Sequence, residues 1–372
     1  MNTQTKARFS GIELLKQIAM FFIVISHSAP YYGNASSESF LNLRVSTTNI
    51  QHFFIILFVY LGQIGNCIFL ACSSHFLLEQ DTVKGRKIVS LLVDCIFFSL
   101  CFLAVFLSAG YDISKTTVLK QFFPTTFEYN WFVGCYLLLY LIHPALNRII
   151  RSLSQKQLFG VNLGGILLYS LLQMVLRNSF YYTRFIGFLL IYFLMAYCKM
   201  YLKQTCSKKQ HNLFILLGSV LFLIVLLILT NYFGFYLDTF REKMLHYCIF
   251  TNPFIILIAF SSFHLCKDIS WRSNTINTAA SVSLYIYIIH ENYLFATYAR
   301  PEYFAYIYTN YSYSHVALWC LILALICYFC SLLIGLLYRF TLKKLMELLC
   351  GKLYSGIENL YNQLYVLFQK WN

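Results

Sequence analysis

The chain has 372 residues, of which 59% are hydrophobic and only 11% are charged, and its mean hydropathy is +0.64. Soluble domains carry roughly a quarter charged residues, so this composition excludes a soluble globular protein and indicates a surface that largely faces lipid. The formal net charge is +14, but there is no Arg-rich segment or nucleic-acid motif, and basic residues accumulate in the cytoplasmic loops of membrane proteins. We therefore expect a lipid bilayer, and no nucleic acid, as a partner.

Apolar runs of about 20 residues, the length that crosses ~30 Å of hydrocarbon, recur along the whole chain. They predict an all-α fold, a polytopic integral membrane helical bundle with about ten transmembrane helices. The fifth and sixth runs are separated only by a short polar stretch. The predicted spans are 11–31, 52–78, 87–109, 131–150, 158–177, 183–202, 212–233, 246–266, 279–299 and 315–340.

The distribution of Lys and Arg predicts the orientation. If the N-terminus is cytoplasmic, alternation of the ten spans places 19 of these residues inside and 8 outside. This asymmetry has the sign that the positive-inside rule requires. Both ends are therefore predicted in the cytoplasm (N-in/C-in), and the first span is predicted to be retained because Glu13 and Lys16 lie in its first turns, unlike a cleaved signal peptide.

Two regions flank the predicted spans. Residues 345–372 repeat Leu and Ile at helical spacing, so they predict an amphipathic tail on the cytoplasmic face, separate from the membrane domain of residues 1–344. The outer segments 32–51, 110–130 and 300–314 are rich in Tyr, Ser, Asn and Thr. They are interpreted either as carbohydrate contacts or as ordinary loops with interfacial tyrosines.

The first span has a polar stripe along an apolar helix. Lys16 and His27 are eleven residues apart, which is three turns plus about 20°, so both project from one face with a rise of about 16 Å. Glu13 lies close to the same stripe and can pair with Lys16. Ionisable groups in a span are costly, so His27 is a candidate functional residue; snorkelling of Glu13 and Lys16 to the interface is the alternative for those two.

Other candidate residues lie in or beside other spans. His290 and Glu291 are predicted in the middle of the ninth span, as a functional pair or as a structural contact between helices. His52 begins the second span on the side of His27. The basic residues Lys84, Arg86 and Lys87 either bind phosphates or simply mark a cytoplasmic loop. The thirteen cysteines are interpreted as small apolar residues, with no metal expected.

Four segments of the chain resemble the membrane-bound acyltransferase family 3, which includes O-acetyltransferases of bacterial surface polysaccharides. The first span has the family's carboxylate, cation and histidine, with Glu13 and Lys16 where Asp and Arg are usual. The segments GQIGNCIFLACSSHFLLEQ at 62–80, WFVGCYLLLYLIHPALNRII at 131–150 and SVSLYIYIIHENYLF at 281–295 are similar to later motifs of the family. Lys84 and Lys87 stand where two Arg are often found.

The resemblance implies transfer of an acetyl or related acyl group from acyl-CoA to a hydroxyl of a surface polysaccharide or its lipid-linked precursor. Residues 1–344 would then be the transmembrane acyltransferase domain of a multi-pass protein in the bacterial cytoplasmic (inner) membrane. The implied cosubstrate is acetyl-CoA, and the implied acceptor is a glycan or lipid-linked glycan.

Roles follow for the candidate residues. The catalytic candidates are His27 as base, Lys16, Glu13 and His290; the acyl-CoA-binding candidates are Lys84, Arg86 and Lys87; the substrate-binding candidates are His52, Glu291 and Trp131. Two other classes stay open, a polysaccharide polymerase or exporter and a small-molecule transporter. The first requires long outer loops, and the second requires broken helices in matching halves of the chain.

Overall fold

The computed structural model describes residues 10–29, 50–127, 130–176, 183–237, 247–310 and 315–371. These residues form helices and connecting turns, with no strand among them, so the all-α prediction is confirmed. Eight of the helices are long and apolar enough to cross a membrane. They correspond to the first seven and the tenth predicted spans, which confirms a polytopic helical bundle.

The described helices are numbered in chain order. The bounds are α1 Ser10–His27, α2 Ile50–Leu77, α3 Gly85–Ser108, α4 Lys115–Lys120, α5 Trp131–Ser152, α6 Gln155–Ile166, α7 Leu172–Leu176, α8 Arg184–Tyr201, α9 Lys203–Ser207, α10 Lys209–Tyr236, α11 Pro253–Cys266, α12 Asn274–Ala280, α13 Ser283–His290, α14 Arg300–Asn310, α15 Val316–Thr341 and α16 Lys343–Trp371. A π-helix at Leu167–Leu171 joins α6 to α7, and another at Phe295–Ala299 precedes α14.

The eighth and ninth predicted spans differ from the expectation of long helices. The eighth forms α11, which has 14 residues. The ninth is divided into α12, α13 and a π-helix, and α13 ends at His290. The side chain of Asn292 accepts a hydrogen bond from the backbone N–H of Leu294 at 3.0 Å and so caps the helical segment that follows. His290 and Glu291 therefore lie at a helix end and not within one continuous helix, and their position in the middle of a span stays a prediction.

Helix α1 lies inside the bundle, where it contacts α2, α11, α12, α13 and α15. Its packing on α2 is close because Gly62 and Gly65 of α2 face Ser26 and the backbone of Ala19. Polar contacts fix the other side, where the Gln17 amide donates to the Ser283 hydroxyl at 2.6 Å. The helix with the predicted polar stripe is thus held by contacts on several faces.

Substituting Gly62 tests this close approach. A Cβ at this position would overlap the side chain of Ser26, so we expect Gly62→Ala to destabilise the protein by about 1–3 kcal/mol. Gly218 lies in α10 with nothing within 4 Å of its Cβ position, and Gly218→Ala is expected to be neutral or to stabilise by up to about 1 kcal/mol. Thermal unfolding of both variants in detergent measures the difference, and equal midpoints would contradict the packing account.

The predicted tail forms one helix, α16, which runs through Gly351 and Gly356 without interruption. Its start is fixed to α3, because the Lys343 ammonium lies 2.6 Å from an Asp94 carboxylate oxygen and the Arg86 guanidinium donates to the Glu347 carbonyl. Beyond this anchor a row of apolar side chains is exposed, namely Leu345, Leu348, Leu349, Leu353, Ile357, Leu360 and Leu364. The division at residue 344 and the membrane-surface position of the tail stay predictions.

The outer segments are described only in part. Almost all of segment 32–51 lies outside the described residues, and so do 128–129 and 311–314. Segment 110–130 contains α4, which begins after the capping hydroxyl of Ser114. Segment 300–314 contains α14. The orientation of the bundle in the membrane stays a prediction.

Candidate active site

His27, His290 and Glu291 come together where α1 and α13 end. The Nδ1 atom of His27 lies 3.1 Å from Nε2 of His290 and 2.9 Å from a carboxylate oxygen of Glu291. The two imidazole rings are stacked, with centroids 5.3 Å apart. Both histidines are buried. Two helix ends that are 263 residues apart in the chain therefore build one cluster of titratable groups.

The hydrogen bonds of this cluster assign the tautomers of both rings. Nδ1 of His290 lies 2.6 Å from the carbonyl oxygen of Ile286, which can only accept, so Nδ1 carries the proton of a neutral His290. Nε2 of His290 is then an acceptor. Since the Glu291 oxygen is also an acceptor, Nδ1 of His27 must donate to both. The lone pair of a neutral His27 is therefore on Nε2.

A buried arginine holds Glu291 in its charged form. The Arg300 guanidinium lies 3.2 Å from the Glu291 oxygen that contacts His27, and it also donates to the His290 carbonyl at 2.9 Å. The side chain of Arg300 is 5% exposed. A buried carboxylate is stable as an anion when a cation pairs with it. Arg300 thus fixes both the charge of Glu291 and the end of α13.

The same three residues have donor atoms within 4.8 Å of one another, so they also have the composition of a metal site. Arg300 opposes this interpretation, because its positive charge is next to the carboxylate that would bind the ion. The hydrogen-bonded arrangement is complete with a proton on Nδ1 of His27. We therefore interpret the cluster as a proton-transfer group, and the expectation of a reaction without metal stays a prediction.

His27 faces a cavity of about 170 Å³. The lining includes Trp131, at the start of α5, and Arg184, at the start of α8. The Arg184 guanidinium lies over the Trp131 ring, 4.7 Å from its centroid. The remaining lining residues are Gln63, Asn66, Cys248, Ile249 and Phe250. The cavity is therefore bordered by an imidazole, a cation and two amides.

A larger cavity of about 750 Å³ adjoins the first through Trp131 and Arg184, which line both. It is also lined by the hydroxyls of Thr125, Thr126 and Thr183. Hydroxyl, guanidinium and indole groups can bind a polar ring by hydrogen bonds and stacking. The two cavities therefore meet at Trp131 and Arg184, where α5 and α8 begin.

Comparison with known proteins identifies the chain. The sequence model of acyltransferase family 3, described as an acyltransferase domain, matches residues 9–340. The chain belongs to acyltransferase family 3. It is therefore a membrane acyltransferase, and the predicted membership of this family is confirmed. No curated protein and no solved structure matches the chain.

The acyltransferase has a further cavity of about 250 Å³ in the half of the bundle where α3 begins. Lys87, the hydroxyls of Ser73 and Ser90 and the carboxylate of Asp94 are at this cavity, and its other walls are mostly apolar. The Lys87 ammonium also lies over the Tyr140 ring, 4.6 Å from its centroid. Of the three predicted phosphate-binding cations, only Lys87 lines this cavity. Arg86 instead contacts the carbonyl of Glu347 in α16, and the Lys84 side chain is exposed.

Three predicted site residues, Glu13, Lys16 and His52, lie apart from the cluster of His27, His290 and Glu291. Lys16 pairs with Glu13 at 3.4 Å and lies 5.4 Å from the centre of the Phe76 ring. The eleven residues between Lys16 and His27 correspond to about 16 Å along α1, so Lys16 cannot contact the His27 ring. The ring of His52 is buried and pairs with the Asn231 side chain at 3.0 Å. Their predicted roles remain untested.

Four polar residues at these sites were not selected from the sequence. Arg184 and Arg300 were interpreted as loop charges, although both directly adjoin apolar segments. Asn66 is uncharged, so a search for ionisable groups passes over it. Asp94 is an intramembrane carboxylate, and the rule that selected His27 also predicts a function or a partner for it. The structure pairs Asp94 with Lys343 and with the hydroxyls of two tyrosines.

Proposed function

We propose that the protein transfers an acetyl or related acyl group from acyl-CoA to a hydroxyl of a surface polysaccharide or of its lipid-linked precursor, in the bacterial cytoplasmic membrane. The observation that carries this proposal is the His27 ring. Its Nδ1 is held by Glu291 and His290, and the residue lines a cavity with polar walls. A neutral imidazole with its lone pair on Nε2 is suited to remove a hydroxyl proton near pH 7.

The reaction follows from this geometry in two steps. Nε2 of His27 takes the proton of the acceptor hydroxyl while its oxygen attacks the thioester carbonyl carbon, which gives a tetrahedral oxyanion and an imidazolium. The C–S bond then breaks, and the CoA sulfur takes the proton from Nε2. Glu291 stabilises the imidazolium through Nδ1–H, as a carboxylate does in other His-based acyl transfers.

The oxyanion needs a donor in the same cavity, and two side chains are suited to this role. Arg184 provides a cation at the cavity wall. Asn66 is buried, and its Oδ1 atom has no hydrogen-bond partner. An amide with an unsatisfied oxygen can accept from the substrate hydroxyl while its NH₂ group donates to the developing charge. We assign Asn66 and Arg184 to substrate orientation and charge stabilisation.

The two substrates bind in different cavities in this proposal, and the first turns of α5 border both. The acceptor glycan occupies the 750 Å³ cavity at Trp131 and Arg184. The acyl-CoA phosphates bind near Lys87, and the apolar walls of the 250 Å³ cavity receive the pantetheine arm. Phe132 lines this inner cavity and directly follows Trp131 in the chain. The acyl group therefore reaches His27 past the start of α5.

Acetylation of the cell's glycans tests the proposed function. We expect O-acetyl signals in the NMR spectrum of envelope glycans from cells that carry the gene, and their loss when the gene is deleted. Purified protein with labelled acetyl-CoA and extracted glycan should transfer the label. Unchanged O-acetylation after deletion, with no transfer in vitro from any acyl-CoA tested, would contradict the acceptor and donor assignments.

A substitution at either cavity is expected to raise KM for only one of the two substrates. Lys87→Met removes one cation from the acyl-CoA phosphates, so KM for acyl-CoA should rise about tenfold, at the lower end for hydrogen bonds to charged groups. Trp131→Ala removes a stacking surface, so KM for the acceptor should rise roughly three- to tenfold. Steady-state kinetics with each substrate varied in turn measures both. Lys156→Met, at an exposed lysine of α6, is the control, and a swap of the two effects would contradict the cavity assignments.

A further inference from the structure

A second cluster of donor atoms lies outside the catalytic site, where α8, α9 and α11 meet. Cys198 is on α8, Cys206 is on the short helix α9, and His264 is in the last turn of α11. Their sulfur and nitrogen ligand atoms all lie within 4.8 Å of one another. From the sequence, the cysteines of this chain were interpreted as small apolar residues. The proposed acyl transfer does not use these three side chains.

The His264 ring is the observation that points to a ligand. The residue is 7% exposed, and neither of its ring nitrogens makes a hydrogen bond of ordinary geometry, with the Cys206 thiol as the polar group that acts on the ring. A buried imidazole without partners is costly, because it loses its hydrogen bonds to water and gains none in the protein. A metal ion bonded to one nitrogen would satisfy the ring. The neighbouring Phe263 ring contacts the His264 ring edge-on, and this contact does not satisfy the ring nitrogens.

The thiol of Cys206 is suited to metal binding. Its sulfur lies within 4.8 Å of the Cys198 sulfur and of a ring nitrogen of His264. The thiolate is the form that binds metals. Cys206 is in the connection between α8 and α10 and is only partly buried, so an ion can reach it from the solvent.

We propose that Cys198, Cys206 and His264 form a binding site for one Zn²⁺ ion, with a water molecule as fourth ligand. Two thiolates and one imidazole are ligands that Zn²⁺ prefers. Tetrahedral zinc bonds would place these ligand atoms about 3.5–3.8 Å apart, a contraction of about 1 Å from the present limit of 4.8 Å. As the Zn–S and Zn–N bonds form, the two thiols lose their protons to the solvent, so the charge of the ion is balanced.

The bound ion would join the α8–α10 connection to α11. A more rigid α11 would also stabilise the start of α1, because Gly11 of α1 packs directly on the carbonyl of Cys266. The proposed site therefore stabilises the end of the bundle opposite His27. It is independent of the acyl donor and acceptor, and it is tested without measuring acyl transfer.

Zinc binding by the full-length protein in detergent, kept reduced with a phosphine, tests the proposal. Elemental analysis and competition with a chromophoric chelator should give one Zn²⁺ per chain, and Co²⁺ should give the visible bands of a tetrahedral thiolate site. Removal of a residue that only hydrogen-bonds to a metal ligand lowers the metal affinity roughly 10–100-fold. Removal of a ligand itself, in His264→Ala or Cys206→Ser, should therefore weaken zinc binding by at least about 100-fold. His211→Ala and Cys330→Ser, both at exposed positions, are the matched controls.

Alkylation of the wild-type protein gives a readout that does not depend on folding of the variants. Zn²⁺ should protect Cys198 and Cys206 from a maleimide reagent that labels both in the metal-free protein, as seen by peptide mass spectrometry. Substoichiometric zinc, binding that is unchanged in His264→Ala, or a Cys198–Cys206 disulfide in protein isolated without reductant would each overturn the proposal.

Discussion

Substitution of His27 by Ala should lower the rate of acyl transfer by about 10²–10⁴-fold, the contribution of a positioned general base. The Ala side chain cannot take the acceptor proton. It also leaves His290 and Glu291 without the Nδ1–H donor that they share. The measurement is transfer of labelled acetyl from acetyl-CoA by purified protein, with the amount in the membrane fraction determined for each variant.

The control for this experiment is His211→Ala, since His211 is an exposed histidine on α10. It should keep the wild-type rate and the wild-type amount of membrane protein. His27→Gln supplies a second test because its amide retains a donor toward Glu291 but is no base. A His27→Gln variant with the wild-type rate would contradict the assignment of the base.

Substitution of Arg300 by Met should destabilise the folded protein by about 3 kcal/mol, near the lower end of the cost of breaking a buried ion pair. The lower end applies because the side chain of Glu291 is 18% exposed. Without Arg300, the Glu291 carboxylate is left in a low-dielectric site with His27 as its neighbour. Thermal unfolding in detergent measures the effect as a lowered midpoint.

A double variant separates the charge of Arg300 from its packing. In Glu291→Gln with Arg300→Met the buried anion is gone, so most of the lost stability should return while activity stays low. Arg148→Met, at an exposed arginine of α5, is the matched control and should unfold like the wild type. A double variant as unstable as Arg300→Met alone would show that burial of the unpaired carboxylate is not the cause.

The sequence carried enough information for the helical architecture and for His27. Long apolar runs predict spans because hydrocarbon imposes a length, and eight of the described helices have that length. His27 was selected because an imidazole in an apolar helix is costly. Its neighbour His290 was selected for the same reason, and the structure brings the two rings together.

The remainder of the site depends on tertiary contacts that periodicity does not contain. Residues 279–299 are apolar throughout, so hydropathy predicts one span, whereas the turn at Asn292 ends the helix beside Glu291. Arg300 follows this turn and folds back on the helix end. A charge count places such a residue in a loop, because the count cannot detect that an arginine is buried.

Helical spacing also overstated the polar stripe of α1. Glu13, Lys16 and His27 share one face, but the rise along the helix separates the Glu13–Lys16 pair from the His27 ring. The pair lies against Phe76 in the other half of the bundle. Angular position on a helix thus predicts which side chains face the same neighbours, and it does not predict that they belong to one site.

The protonation state of the His27 ring tests the central claim most directly. ¹⁵N NMR of protein labelled at histidine, with His27 assigned by subtraction of the His27→Gln spectrum, reports which ring nitrogen carries the proton. The hydrogen bonds to Glu291 and His290 predict a neutral ring with the proton on Nδ1 and an unprotonated Nε2. A neutral ring with its proton on Nε2 would contradict the account, because His27 then has no lone pair directed away from Glu291 with which to take the proton of an acceptor hydroxyl.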